Sequence, residues 1–234
     1  MPDCQLGLGL RRHRLRQPGD DMEAPVMRTL SGKLFIVAIM SVVLASACGS
    51  ETQPDLRVGD IVFQNLTSSQ SSAIRLATNS EWSHCGVVIT RDSVLMVAEA
   101  VQPIRIIPLE QWLAQGVDSA YLAMRLSDRD SLASEDQREL AGFCEDQVGK
   151  RYDPFFGWSD DRLYCSELVW KAYREALDFE IAPLRKLSEY DFSHPVVQAK
   201  LRQRYGSKIP LDELVVSPGD IEQSTHLHTV HRGP

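Results

Sequence analysis

Asp160-Asp161-Arg162-Leu163-Tyr164-Cys165-Ser166-Glu167-Leu168-Val169-Trp170 carries an aromatic-rich loop into a helix. From Cys165 to Leu177, residues Leu168, Val169, Ala172, Tyr173, Ala176 and Leu177 recur at helical spacing and make one apolar face. Cys165 therefore stands in the first turn. The unpaired N–H groups and the dipole at that end favour a thiolate over a thiol. A thiolate so placed is the usual nucleophile of a cysteine hydrolase, and the same N–H groups can receive an oxyanion. Position alone also suits a small buried hydrophobe, so the reading turns on finding a base.

Of the six histidines, His194, His226, His228 and His231 fall in the last forty or so residues and His13 in the leader, which leaves His84 inside the body. His84 to Thr90 and Val94 to Ala100 are apolar runs split by Arg91-Asp92-Ser93, a hairpin by run length and turn residues. A two-residue loop that pairs Thr90 with Ser93 sets His84 directly opposite Glu99, on one face and roughly 4.5–5.5 Å apart at Cβ. A three-residue loop throws Glu99 to the other face. Glu99 is also the only carboxylate in its apolar run, and it reads either as the group that orients His84 or as a solvated strand end.

Working outward, Ile61-Val62-Phe63-Gln64 is the first strand, followed by a helix near Ser71 to Thr78. Ile104 to Pro108 and Tyr121 to Leu126 read as two further strands. Ser134-Glu135-Asp136-Gln137 has the form of a capping box and Gly149 suits the position after a helix end, so a helix is expected between them. A short helix near Pro195 to Tyr205 precedes a His-rich stretch. No repeat or long linker divides the body. The expectation is one α+β domain over 56–221, an antiparallel sheet packed on helices, with 222–234 a flexible tail. His226-x-His228-x-x-His231 has the spacing to hold a metal, but no metal site is assigned.

Residues 1–47 hold six of the 25 Lys/Arg and four of the 32 Asp/Glu, leaving 19 and 28, a net −9, in the remainder. An acidic body excludes a phosphate-neutralising nucleic-acid surface. Lys33, the apolar run Leu34 to Leu44 and the small exit Ala45-Ser46-Ala47-Cys48 describe a secretory signal, too short to span a bilayer. Residues 1–47 are thus expected to be leader, with 1–21 preceding the true start at Met22 or Met27. Cleavage before Cys48 would create a lipidated N-terminal cysteine with 48–55 as tether; an ordinary Ala45-x-Ala47 cleavage is the alternative, giving a soluble exported protein. With Cys4 and Cys48 set aside, the exported body keeps Cys85, Cys144 and Cys165. That odd number leaves at least one free thiol in an oxidising compartment.

Val58-Gly59-Asp60-Ile61-Val62-Phe63-Gln64, Trp82-Ser83-His84-Cys85-Gly86-Val87, Val97-Ala98-Glu99-Ala100 and the Cys165 stretch together resemble the permuted papain-like amidases. This is the circularly permuted branch of the NlpC-type cysteine hydrolases, with the YiiX and YaeF group nearest. Papain-type enzymes place the cysteine helix before the histidine strand; here His84 precedes Cys165 by about eighty residues. The resemblance implies a permuted papain-like fold, Cys165 as nucleophile, His84 as base and Glu99 as its orienting carboxylate. It marks Tyr164 as an active-site tyrosine, with Ser166 beside it for substrate or oxyanion contact, and it requires no cofactor. Cys85 departs from the family, which more often has a small non-thiol residue there. The implied substrates are an amide in an envelope peptide or peptidoglycan fragment, or a lipid acyl group. A silent ligand-binding module of the same fold is the third possibility.

Overall fold

Strands that are apolar on both sides of the pleat need cover on both faces of their sheet. The computed structural model describes residues 55–234; the leader, Cys48 and most of the expected tether lie outside them. In chain order come β1 (Ile61–Gln64), α1 (Ser69–Thr78), β2 (His84–Arg91), β3 (Val94–Glu99), β4 (Arg105–Pro108), α2 (Leu109–Leu113) and β5 (Tyr121–Leu126). Then follow α3 (Ser134–Gln147), β6 (Arg151–Tyr152), β7 (Arg162–Leu163), α4 (Cys165–Leu177) and β8 (Arg185–Lys186). The chain ends with α5 (Pro195–Tyr205), β9 (Leu214–Val215), α6 (Pro218–Glu222) and β10 (Leu227–Arg232).

Six strands form one antiparallel sheet in the order β10-β5-β1-β2-β3-β4. Its one face, with Ile61, Phe63, Cys85, Val87, Ile89 and Ala98, packs on α3 and α4 through residues such as Leu140, Val169 and Tyr173. The other face, with Val62, Val88 and Val97, is covered by Trp112 of α2. Burial of these side chains, each contributing roughly 1.5–3 kcal/mol when fully enclosed, holds the helices to the sheet.

The hairpin differs from the expected register in an instructive way. Asp92 and Ser93 both take positive φ, 50° and 65°, the signature of a two-residue type I′ turn, so Arg91 pairs with Val94 and Val87 with Ala98. Relative to the expected register the pairing slips by two residues. Because the side-chain period is also two, His84 and Glu99 still share a face, as diagonal neighbours across Gly86. A Cβ on Gly86 would stand 2.5 Å from Val97 Cγ1 and 2.8 Å from the Ala98 carbonyl oxygen. Glycine is what lets β3 lie this close.

Two local expectations are corrected. Ser134 does not cap α3: Ala133 occupies the N-cap without a side-chain bond, and Gln137 Nε2 donates to the Leu132 carbonyl, 2.9 Å away. The stretch 222–234 is not a flexible tail, since it carries β10, which pairs with β5 and turns Leu227 into the core. The unmet backbone groups of β5, otherwise an edge strand, supply the reason. Gly149, at φ 87°, does follow the α3 C-cap Val148 as expected.

Candidate active site

The apolar face of α4 docks against β2, which brings the first residue of the helix to the first residues of the strand. Cys165 is 4% exposed there. Tyr164 is the N-cap residue, and its N–H donates to Glu167 Oε2 at 3.3 Å, closing the first turn. Glu167 is buried and ion-pairs with Lys171 Nζ at 2.9 Å; burial pushes its carboxyl up to about 7 against that cation.

Cys165 packs in the same buried cluster as Cys85 and lines one cavity together with His84. His84 Nε2 lies 2.7 Å from Glu99 Oε2, which leaves Nδ1 as the ring nitrogen available to the sulfur. Glu99, 1% exposed, also accepts from Arg105 Nε at 2.8 Å and from Trp112 Nε1 at 3.0 Å. The Trp112 ring stacks on His84 with centroids 6.1 Å apart, fixing the plane of the imidazole. Cys165, His84 and Glu99, separated widely in sequence, are gathered at one buried site, with His84 and Glu99 in direct hydrogen-bond contact.

The electrostatics follow from these contacts. Hydrogen bonding from Cys85 holds the Cys165 thiol well below its ordinary range; burial opposes this, and the His84 contact reinforces it. For His84 burial favours the neutral ring, but Cys165 and Glu99 outweigh it and raise the imidazole to about 9. Glu99 is likewise opposed by burial, yet His84 and Arg105 keep its carboxyl low. These shifts favour a thiolate at Cys165 and a charged imidazole at His84, beside a carboxylate at Glu99. Burial pushes the other two thiols up, Cys144 to about 12 and Cys85 well above its usual value.

Tyr164 and Ser166 occupy the expected place, but their hydroxyls are turned to one backbone unit. Tyr164 Oη accepts from the Val216 N–H at 3.2 Å, and Ser166 Oγ donates to the Val216 carbonyl at 2.8 Å. They clamp the loop between β9 and α6 onto the nucleophile helix. Both also line an open, mainly apolar groove of about 680 Å3 that Cys165 lines as well. Its walls include Ile74, Phe156, Leu187, Phe192, Val197 and Leu201, and among the described residues Lys200 and Arg204 are the basic side chains that line it. A second cavity of about 520 Å3 is lined by Cys165 together with Ser83, His84 and Tyr152.

Arg105, Trp112 and Tyr152 were missed in the sequence. Arg105 had a legible signal: in an antiparallel β3–β4 pair it stands directly opposite Glu99. Tyr152 Oη accepts from Gln70 Nε2 at 2.7 Å, so its own proton is available to another acceptor in the cavity that it shares with Cys165. Trp112 had none, because α2 reaches Glu99 only through the fold. The three tail histidines do not converge: His226 packs edge-on against Phe179, His231 stacks on Tyr121, and His228 is exposed opposite Arg125.

A helix-borne cysteine and a strand-borne histidine in permuted order, beside an antiparallel sheet, define a papain-like cysteine hydrolase. The chain belongs to the permuted papain-like amidase family, the YaeF/YiiX or C92 peptidase family, whose description matches residues 55–231. It is similar to the uncharacterized protein YiiX of Escherichia coli (strain K12), 43% identical over 201 residues that make up 86% of this chain and 96% of that protein. It is also similar to the crystal structure of metalloprotein yiiX from Escherichia coli O157:H7, DUF1105. That likeness has 46% identity and a TM-score of 0.73, and covers 76% of this chain and 97% of the other.

Proposed function

We propose that this hydrolase cleaves an amide bond in the cell envelope by covalent acyl transfer through Cys165. The observation that carries the reading is the buried His84–Glu99 pair beside Cys165, which lines an open groove. The thiolate attacks the carbonyl carbon. N–H groups of the first α4 turn, with the Tyr152 hydroxyl, receive the oxyanion. The His84 imidazolium gives its proton to the departing amine, then takes one from the water that clears the acyl-enzyme. A metal, named for the Escherichia coli relative, finds no matching donor set: among the described residues no three His, Cys, Asp or Glu side chains are grouped to hold one. The His84 imidazole, moreover, already engages Glu99 and Cys165.

The groove favours a second reading on the acyl side, a substrate with a long apolar chain. Among the described residues Lys200 and Arg204 at the groove form no ion pair; they donate to Ser69, Gln203 and Gln70. Uncompensated cations beside an apolar wall suit an amphiphile with an anionic group. The test is to incubate the protein and its Cys165→Ala variant with muropeptides and with N-acyl amides of four to twelve carbons, reading products by mass. Cys165-dependent amide cleavage is expected. If the groove takes the chain, kcat/KM should rise by up to about fourfold per methylene, the worth of ~0.8 kcal/mol per buried CH2. Muropeptide cleavage with a flat chain-length series would sink the acyl reading, and no cleavage of either would sink the amidase.

The envelope location rests on Lys33, the run Leu34 to Leu44 and Ala45-Ser46-Ala47-Cys48, with lipidation of Cys48 tethering the acidic body to the membrane. Expressed in a bacterium, the protein should take up labelled palmitate and sediment with membranes. Cys48→Ala should abolish the label; persistent labelling refutes the anchor.

A further inference from the structure

Cys85 forms and breaks no bond in the hydrolytic steps, yet it is the strand residue next to His84, and hydrogen bonding from it does most to hold the Cys165 thiol low. The even-numbered residues His84 and Gly86 face α2, while Cys85 faces α4 and lies in the same buried cluster as Cys165. Cys144 is buried in the same cluster, but its surroundings include neither cysteine, so it is no competitor.

Access to the two thiols is unequal. Cys165 lines both cavities, so a small solute can reach it; Cys85 is 0% exposed and lines neither. An oxidant therefore meets Cys165 first, and it meets a thiolate, the form that peroxides attack.

We propose that Cys85 is a resolving thiol, and that Cys85 and Cys165 form a reversible disulfide when hydrogen peroxide oxidises the nucleophile. In the first step the Cys165 thiolate attacks one peroxide oxygen. The O–O bond breaks, hydroxide leaves and takes a proton as water, and Cys165 becomes a sulfenic acid. In the second, the Cys85 sulfur attacks the sulfenic sulfur, the S–O bond breaks, and the hydroxyl departs as water. Two thiols lose two electrons and two protons, and one peroxide yields two waters. The sulfenic hydroxyl leaves with the Cys85 proton, and the hydroxide of the first step takes the proton of His84. Its imidazole is held charged partly by the thiolate, and once Cys165 is a neutral sulfenic acid that support is gone. The disulfide blocks turnover but spares Cys165 from sulfinic and sulfonic acids, which thiols do not reverse.

The inference rests on Cys165 being the reactive thiol, so the test reads mass and not turnover. The full-length protein is treated with hydrogen peroxide at neutral pH, digested under acid and mapped. Expected is a species two hydrogens lighter, with Cys85 linked to Cys165. Dithiothreitol should restore iodoacetamide labelling of Cys165. In Cys85→Ala and the near-isosteric Cys85→Ser, Cys165 should instead gain two or three oxygens, with recovery by dithiothreitol lower by roughly tenfold. A wild-type Cys165 that gains oxygens irreversibly, or Cys85 variants that recover as fully as wild type, overturns the proposal. Should Cys165 resist both peroxide and iodoacetamide, the nucleophile assignment falls first and this inference with it.

Discussion

Iodoacetamide at pH 6 should alkylate Cys165 and leave Cys85 and Cys144 almost untouched. An unperturbed thiol with pKa about 8.5 is only about 0.3% thiolate at that pH. Cys165 is held well below that range, whereas burial raises the other two. The gain in thiolate is partly offset because nucleophilicity falls with pKa, so a ratio of about 10² is expected. His84→Ala should slow the labelling at pH 6 by at least ~10-fold, since the imidazolium beside the sulfur is gone. The pH dependence separates thiolate from acid. His84 is raised to about 9, so its proton is present below that pH and lost as pH rises through it. Turnover should fall on the alkaline side near pH 9, while alkylation, which needs only the thiolate, should persist. Equal labelling of all three cysteines, or no effect of His84→Ala, would leave Cys165 a packed thiol.

Glu99→Ala should be the most damaging change outside the nucleophile and base. It removes the acceptor shared by His84, Arg105 and Trp112. The imidazole loses its anchor and the buried indole N–H loses its partner. Turnover should drop by about 10²–10⁴, the range in which orienting carboxylates of catalytic triads act. Breaking a buried charged pair from one side costs about 3 kcal/mol, to be read from denaturant unfolding. Glu99→Gln keeps the shape and some hydrogen bonding, so it should unfold nearer wild type while the alkaline limb of turnover moves down from about 9. That limb is the readout a merely structural role would not move. Trp112→Phe, which loses the indole N–H to Glu99 and leaves a gap where half of a fully buried indole sat, should cost about 2–3 kcal/mol. An unmoved limb in Glu99→Gln would remove Glu99 from the mechanism.

Elements dictated by local periodicity were legible to the residue. The strands Ile61–Gln64 and Tyr121–Leu126 and the helices Cys165–Leu177 and Pro195–Tyr205 lie where the pattern places them. Each is set by neighbours a few positions away. Glu99 was assigned to the correct face from a register wrong by two, because a two-residue slip leaves the pleat's alternation unchanged. The Ser134 cap failed for a local reason: the helix starts one residue earlier than the motif suggests, putting the hydroxyl inside the first turn. The tail failed for a long-range one, since β10 exists only because β5 offers it an edge.

By itself the sequence determined the chemistry of the parts: a cysteine at a helix start, a histidine at a strand start, a carboxylate out of place in an apolar strand. Their types and spacings are local properties, and the chain carries them wherever it folds. Only the tertiary structure decided how the parts meet. His84 and Glu99 face α2, while Cys165 arrives from the α4 side and reaches the imidazole at the end of the strand. Arg105 and Trp112 converge on Glu99, and Val216 ties Tyr164 and Ser166 in place. The convergence follows from packing two layers on a doubly buried sheet, in which contacts span distant segments of the chain and no period within the sequence encodes them.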